Sequence, residues 1–265
     1  MIPDIGMPLM RGMGSPLLNL PAGMRSASVA VNRQREAPLS RASVVRATGL
    51  LFSLSLLAIL LMLVQFYPGV AAGNEQAANL ARNIGFGGGV FGLSLVMLTA
   101  FYRHWAPYTA PVYGFSGGLF MSGLALAMEQ RFPGIAVQSI VVTLCLMLSL
   151  YSLYAMRVVQ VSRRMFVVVY ALTATIALVY LLGFVLILTG VSLPFLHGTG
   201  VGGMIWFAFI VVVASMNLLV DFRRIDLACQ RPQPLWMRWF LALGLLVTMV
   251  WLYISVLRLL ANIKR

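Results

Sequence analysis

Residues 165–220 contain no Asp, Glu, Lys or Arg. That is 56 consecutive positions, whereas one helix needs roughly 20 apolar residues to cross the hydrocarbon core of a bilayer. A water-soluble fold would have to expose part of so long a segment with no charge to solvate it. Two membrane spans joined by a turn meet no such difficulty. Gly190, Pro194, His197, Gly198, Gly200, Gly202 and Gly203 cluster within 189–203, which places the turn there. The spans are therefore expected at 165–188 and 204–220.

Shorter charge-free windows recur along the chain and extend the count. The first covers 47–67 and is read as ending at Pro68-Gly69. The second, 83–102, opens with Gly85, Gly87, Gly88 and Gly89, residues that let a neighbouring backbone come close. The third, 111–128, carries Gly117, Gly118 and Gly123. The fourth, 134–156, follows Pro133-Gly134, and the last covers 239–257. The expected fold class is an all-α polytopic membrane protein, with seven spans in residues 47–265. Composition agrees: 61% of residues are hydrophobic and 9% charged, against about 25% charged in soluble domains.

Residues 1–46 hold six arginines with Pro, Gly and Ser and no apolar core ahead of a cleavage site. They read as a basic, mostly disordered cytosolic tail and not as a signal peptide. The weakly apolar stretch 8–20 is interrupted by prolines and glycines, which oppose a stable helix. The net charge is +13. Its basic residues lie between spans, where they orient the chain and meet anionic headgroups. No basic stripe with interleaved aromatics accompanies them, so nucleic acid is not an expected partner and the lipid bilayer is. With the N-terminus cytosolic, Arg103, Arg157, Arg163, Arg164, Arg223, Arg224, Arg231 and Arg238 lie inside, and Arg82 and Arg131 outside. A seventh full crossing puts Arg258, Lys264 and Arg265 outside, against the rule, whereas a re-entrant last helix would return them. The earlier loops dominate orientation, so seven crossings are expected.

Few residues within or beside the spans can do chemistry. Cys145 and Cys229 form no CxxC or Cys/His cluster, so neither a metal site nor a cofactor is expected. A disulfide is not expected either, since one cysteine lies in a span and the other in a basic loop. No nucleophile–base pair, HExxH, phosphate loop or paired carboxylates occur within a span, and the chain is not expected to be an enzyme. Glu75 and Glu129 are placed in external loops. Glu129, ahead of Arg131 and Pro133-Gly134, reads as a tight turn with a solvated ion pair.

Asp221, at the basic end of span six, is the carboxylate of interest, since an ionisable group at a membrane helix is a functional hypothesis by default. Asn217 lies one turn earlier on the same face. One reading makes Asp221–Arg224 and Arg223–Asp226 local ion pairs at a solvated helix end. The other sets Arg103, which ends span two, against Asp221 as a latch that protonation releases, if spans two and six are neighbours. Arg103 alone would otherwise snorkel to the headgroups, as would Arg258, one turn after Ser255. His104 reads as interfacial. Trp236, Trp239, Trp251 and Tyr253 read as belt or packing residues.

The chain resembles the Bax-inhibitor/YccA-like family, in its bacterial branch. Ala110-Pro111-Val112-Tyr113 opens span three, 129–138 reads EQRFPGIAVQ, 217–225 reads NLLVDFRRI and 245–260 reads LLVTMVWLYISVLRLL. The resemblance implies a bundle with the last helix surrounded by the others, in a bacterial plasma (inner) membrane. It implies either a pH-sensitive calcium or cation leak, or a partner that restrains a membrane-anchored quality-control protease. In leak-type relatives two carboxylates, on span six and the last span, share a proton while an arginine ending span two latches them. Asp221 and Arg103 match two of these positions.

Ser255 stands where relatives carry the second carboxylate, Leu252-Tyr253-Ile254-Ser255 replacing LYLE or LYLD. Likewise Met237-Arg238-Trp239-Phe240 stands for MEWY, and Gly117 for a span-three glutamate. Calcium takes 6–8 oxygen ligands, so one aspartate beside Arg223 and Arg224 is a poor lone site. Ser255 also lies 16 residues past Trp239, roughly 24 Å along a helix, so a Trp239 at the inner surface puts Ser255 far from Asp221.

Overall fold

The computed structural model describes residues 39–188, 200–230 and 232–265. The expected tail up to residue 38, the centre of the Gly/Pro break between spans five and six, and Arg231 lie outside the described residues. Seven long helices run through the rest: α1 Arg41–Ala71, α2 Glu75–Phe101, α3 Ala106–Glu129, α4 Ile135–Ala155, α5 Arg163–Leu188, α6 Val201–Ala228 and α7 Met237–Ile263. A 3₁₀ turn, Arg103–Trp105, links α2 to α3. The shortest, α4, has 21 residues, about 31 Å at 1.5 Å per residue, enough for a hydrocarbon core of about 30 Å. All seven are long and apolar enough to cross a membrane. The protein is a multi-pass membrane protein.

The helices outrun the charge-free windows. α1 begins at Arg41, and Pro68 lies inside its last turns instead of ending it. Proline removes an N–H there, but the turn still closes through Ala72 N–H to the Pro68 carbonyl. α2 begins at Glu75, because Asn74 caps it: its Oδ1 accepts from the backbone N–H of Gln76 and Ala77. An asparagine cap with an acidic first turn is a start signal readable in sequence.

The interior is partitioned by side-chain size. α3 presents small residues, and a neighbouring backbone lies against each face. Against α1, Ser55 Oγ donates to the Gly114 carbonyl at 2.7 Å. Against α2, Gly85 and Gly123 face one another with no room for a Cβ, as the glycines of span two suggested. α7 occupies the centre and packs on α1, α3, α4 and α6, while α2 and α5 lie outside, chiefly on α3 and α6. Leu252 and Leu257 of α7 are fully buried. Tyr253 belongs to this core and not to an interfacial belt: its hydroxyl donates to the Met121 carbonyl at 3.2 Å and accepts from Ser139 Oγ at 3.2 Å. Outward faces carry large apolar groups such as Phe86, Phe101, Leu178 and Leu181, as lipid contact requires.

α7 is one unbroken helix, which answers the question of re-entry. Its end lies beside the α3–α4 turn, at the far end of the bundle from Met237, where Lys264 Nζ donates to the Pro133 carbonyl at 2.9 Å.

The α3–α4 turn corrects an expectation. Glu129 is buried, at 5% exposure, and is not part of a solvated pair with Arg131. Its Oε1 accepts from Gly134 N–H at 2.5 Å and its Oε2 from Ala136 N–H at 2.8 Å. The carboxylate reaches back from the end of α3 to cap the start of α4, where the helix has unpaired donors and positive dipole.

Candidate functional site

Polar side chains gather at the basic end of α6. Asp221 is buried at 9% exposure and is held from two helices. Thr248 of α7 donates its hydroxyl to Oδ2 at 2.5 Å, and Arg224, one turn on along α6, lies 3.3 Å from Oδ1. The Arg224 guanidinium also covers the Tyr170 ring of α5, 5.0 Å from its centroid. One turn earlier, Asn217 Nδ2 donates to Thr173 Oγ1 at 2.7 Å and to the Val213 carbonyl at 3.0 Å. A continuous set of contacts thus joins α5, α6 and α7.

Asp226 forms a second junction. It pairs with Arg41 of α1 at 2.9 Å and accepts from the Tyr154 hydroxyl of α4 at 2.5 Å. The expected Asp221–Arg224 pair is present, whereas Asp226 turns to α1 and α4 instead of to Arg223. These are the ion pairs among the described residues.

Arg103 and Asp221 are not brought together. α2 packs on α3 and α1, and the Arg103 guanidinium lies 5.7 Å from the centroid of Phe240, at the start of α7. His104 joins an edge-on cluster with Tyr102 and Trp105 at the α2–α3 junction.

Ser255 sits away from the cluster. Its hydroxyl donates to the Trp251 carbonyl at 2.8 Å, and it lines a cavity of about 240 Å³ with Tyr180, Phe207, Trp251 and Arg258. Arg258 donates to the Tyr180 hydroxyl at 3.3 Å, so it turns inward to α5 instead of outward to headgroups. Thr248 is the residue that sequence reasoning missed. It lies seven positions before Ser255, roughly 10 Å along the helix, and the offset decides which α7 side chain faces Asp221.

Both cysteines are free. Burial pushes the Cys229 thiol up from its ordinary value, Arg41 opposes the shift and Asp226 adds to it. A thiol held protonated is a poor nucleophile. Among the described residues no three His, Cys, Asp or Glu side chains gather as a metal ion would require.

Residues 21–265 match the family described as Bax inhibitor 1 like. The chain belongs to that family. No curated protein and no solved structure matches it significantly. In this Bax inhibitor 1-like chain the α7 side chain that meets the α6 carboxylate is the Thr248 hydroxyl.

Proposed function

We propose that the protein is a cation leak restrained at the α6–α7 seam, with Asp221 as the restraint. The observation that carries this reading is the bridge itself. A buried carboxylate near the end of a membrane helix accepts a hydrogen bond from the central helix and pairs with Arg224. A hydrogen bond to a charged group is worth about 1.5–3 kcal/mol. The Arg224 side chain is 48% exposed, so its ion pair adds less than a buried one would. Proton binding at Asp221 removes its charge, weakens both contacts and favours separation of α6 from α7. With a hydroxyl as partner the carboxylate has no second acid with which to share a proton. One aspartate beside arginines is a poor calcium site, so Asp221 acts in this reading as a restraint on the helices and not as an ion ligand.

The N-terminal end of the bundle is read as cytosolic. Nine described arginines lie at that end, from Arg41 to Arg238, against five Lys or Arg at the other, the asymmetry of the positive-inside rule.

Proteoliposome flux tests the reading. Calcium and proton leak are expected to rise as pH falls. Asp221→Asn at neutral pH should leak about tenfold faster than the parent, the effect of losing roughly 1.4 kcal/mol from the closed state, and should lose the pH response. Thr248→Val should raise the leak while leaving a response to pH. Flux no greater than in empty vesicles at any pH would remove the proposal. The alternative role, docking a membrane-anchored quality-control protease, rests on the family likeness; crosslinking in native membranes discriminates it by recovery of a protease in place of lipid alone.

A further inference from the structure

At the basic end of the bundle, a polar cleft of about 590 Å³ is lined by Arg41, Tyr154, Arg157, Arg223 and Asp226. It is continuous with an apolar groove of about 380 Å³, because Arg41, Tyr154 and Asp226 line both. The groove follows the seam between α1 and α4. These helices each pack on α7 but scarcely on one another, which leaves Val44, Phe52, Met147, Tyr151, Phe222 and Leu245 as its walls and floor. From Val44 to Phe52 it runs roughly 12 Å along α1, close to the about 15 Å of hydrocarbon in one leaflet. Phe52 then separates it from a smaller apolar cavity at the level of Tyr253.

The charges of the cleft select the occupant. Asp226 is engaged by Arg41 and Tyr154. No described carboxylate lies within ion-pair distance of Arg157 or Arg223, and Arg223 meets the Tyr154 hydroxyl, so the mouth of an acyl-sized groove carries three guanidiniums against the one carboxylate of Asp226. Arg157 also has φ +58°, and is the one non-glycine described residue with positive φ. It occupies the helix-ending position of α4 where glycine is favoured. An arginine tolerated at that backbone position brings its charge to the cleft.

We propose that this cleft and groove bind one anionic phospholipid of the adjacent leaflet, its phosphate at Arg157 and Arg223 and one acyl chain between α1 and α4. The site stands apart from the α6–α7 seam and does not depend on the leak. It differs from general headgroup attraction in having an enclosed apolar half beside a charged half.

The two halves are tested separately, with variants chosen to spare the fold. Arg157→Gly removes a charge while relieving the backbone, and Arg223→Gln removes the second. Gly49→Trp fills the groove from a position where an added Cβ meets no atom within 4 Å. The purified full chain is placed in phosphatidylcholine nanodiscs, and retention of phosphatidylglycerol is measured by native mass spectrometry. The parent should retain phosphatidylglycerol over phosphatidylcholine. Each arginine variant should weaken that preference about fivefold, as expected for one basic residue at a membrane surface, and Gly49→Trp should abolish retention of either lipid. Arg164→Gln, outside the cleft, should match the parent.

Inorganic phosphate should not displace the lipid. Displacement by phosphate, or full retention in Gly49→Trp, would reduce the site to a plain anion cleft and overturn the lipid assignment. Unchanged preference in both arginine variants would overturn the charge assignment. A photocrosslinker at Thr48 in native membranes should capture phospholipid. Capture of a second copy or of another part of the chain would overturn the proposal as well.

Discussion

Gly118→Val is expected to destabilise the protein by on the order of 3 kcal/mol or more, enough to prevent recovery of folded material in mild detergent. A Cβ at Gly118 would lie 2.8 Å from the Ala58 Cβ and 3.0 Å from the Ser55 carbonyl carbon, and closer still to the Ser55 carbonyl oxygen. Two of these three atoms are backbone, so no rotamer change relieves the clash and α1 must move away from α3. That movement stretches the Ser55 Oγ–Gly114 hydrogen bond of 2.7 Å and opens the contact at Gly114, whose own Cβ would meet the Leu51 carbonyl oxygen at 3.0 Å. Packing, not a difference in hydrophobicity from lipid, holds membrane helices together, so loss of this close approach removes much of what joins α1 to the bundle. Gly87→Ala supplies the opposite sign. A Cβ there meets nothing within 4 Å, and the substitution gains helix propensity worth up to about 1 kcal/mol. Unfolding midpoints in a detergent series measure both. A Gly118→Val protein as stable as Gly87→Ala would show that the α1–α3 approach contributes little.

These contrasts mark what a sequence can reveal of such a chain. Lipid imposes long charge-free windows, so all seven helices were legible from where Asp, Glu, Lys and Arg stand. Their ends were less so, because a charge-free window reports hydrocarbon and a helix continues through the headgroups. Arg41 and Glu75 are helical although they fall outside their windows. The start of α2 is set by the Asn74 cap, a signal independent of hydropathy that charge-free windows do not report. Which glycines touch a neighbour was only half visible: Gly85 and Gly87 look alike in sequence, yet Gly85 lies against Gly123 and Gly87 faces open space.

Within the candidate site the sequence singled out Asp221, as a rare acid at a membrane helix, with Asn217 and Arg224 one turn to either side of it. Its partners depend on the rotation of α7 and on which helices neighbour one another, and neither is encoded in local spacing. Thr248 was therefore missed, while Ser255, two turns away, was carried in by the family pattern. Arg103 follows the same logic: it stands just past α2, which packs on α3 and α1, and its guanidinium meets Phe240 of α7 and not Asp221.

The second large effect is expected at Glu129. Glu129→Ala should cost about 3–4 kcal/mol, and Glu129→Gln roughly half of that. Alanine leaves the N–H groups of Gly134 and Ala136 without their acceptor, and a buried unsatisfied donor is penalised by about 1–3 kcal/mol. Glutamine keeps an oxygen for one of the two donors and presents its NH₂ to the other. It also removes the negative charge from the N-terminus of α4, where the helix dipole favours an anion by about 0.3–1 kcal/mol.

The effect should spread beyond the turn. Gly134 caps α4 in the left-handed region at φ +79°, and the neighbouring Pro133 carbonyl receives Lys264 at the end of α7. Loosening Glu129 therefore releases both the start of α4 and the tether of the central helix. Hydrogen exchange resolves this from global unfolding. Amides at Gly134 and Ala136 should lose protection first in both variants, while those near Tyr253 stay protected in Glu129→Gln. If Glu129→Ala melts with the parent and its Gly134 and Ala136 amides remain protected, the carboxylate is not the cap, and the solvated pairing with Arg131 suggested by sequence spacing regains its place.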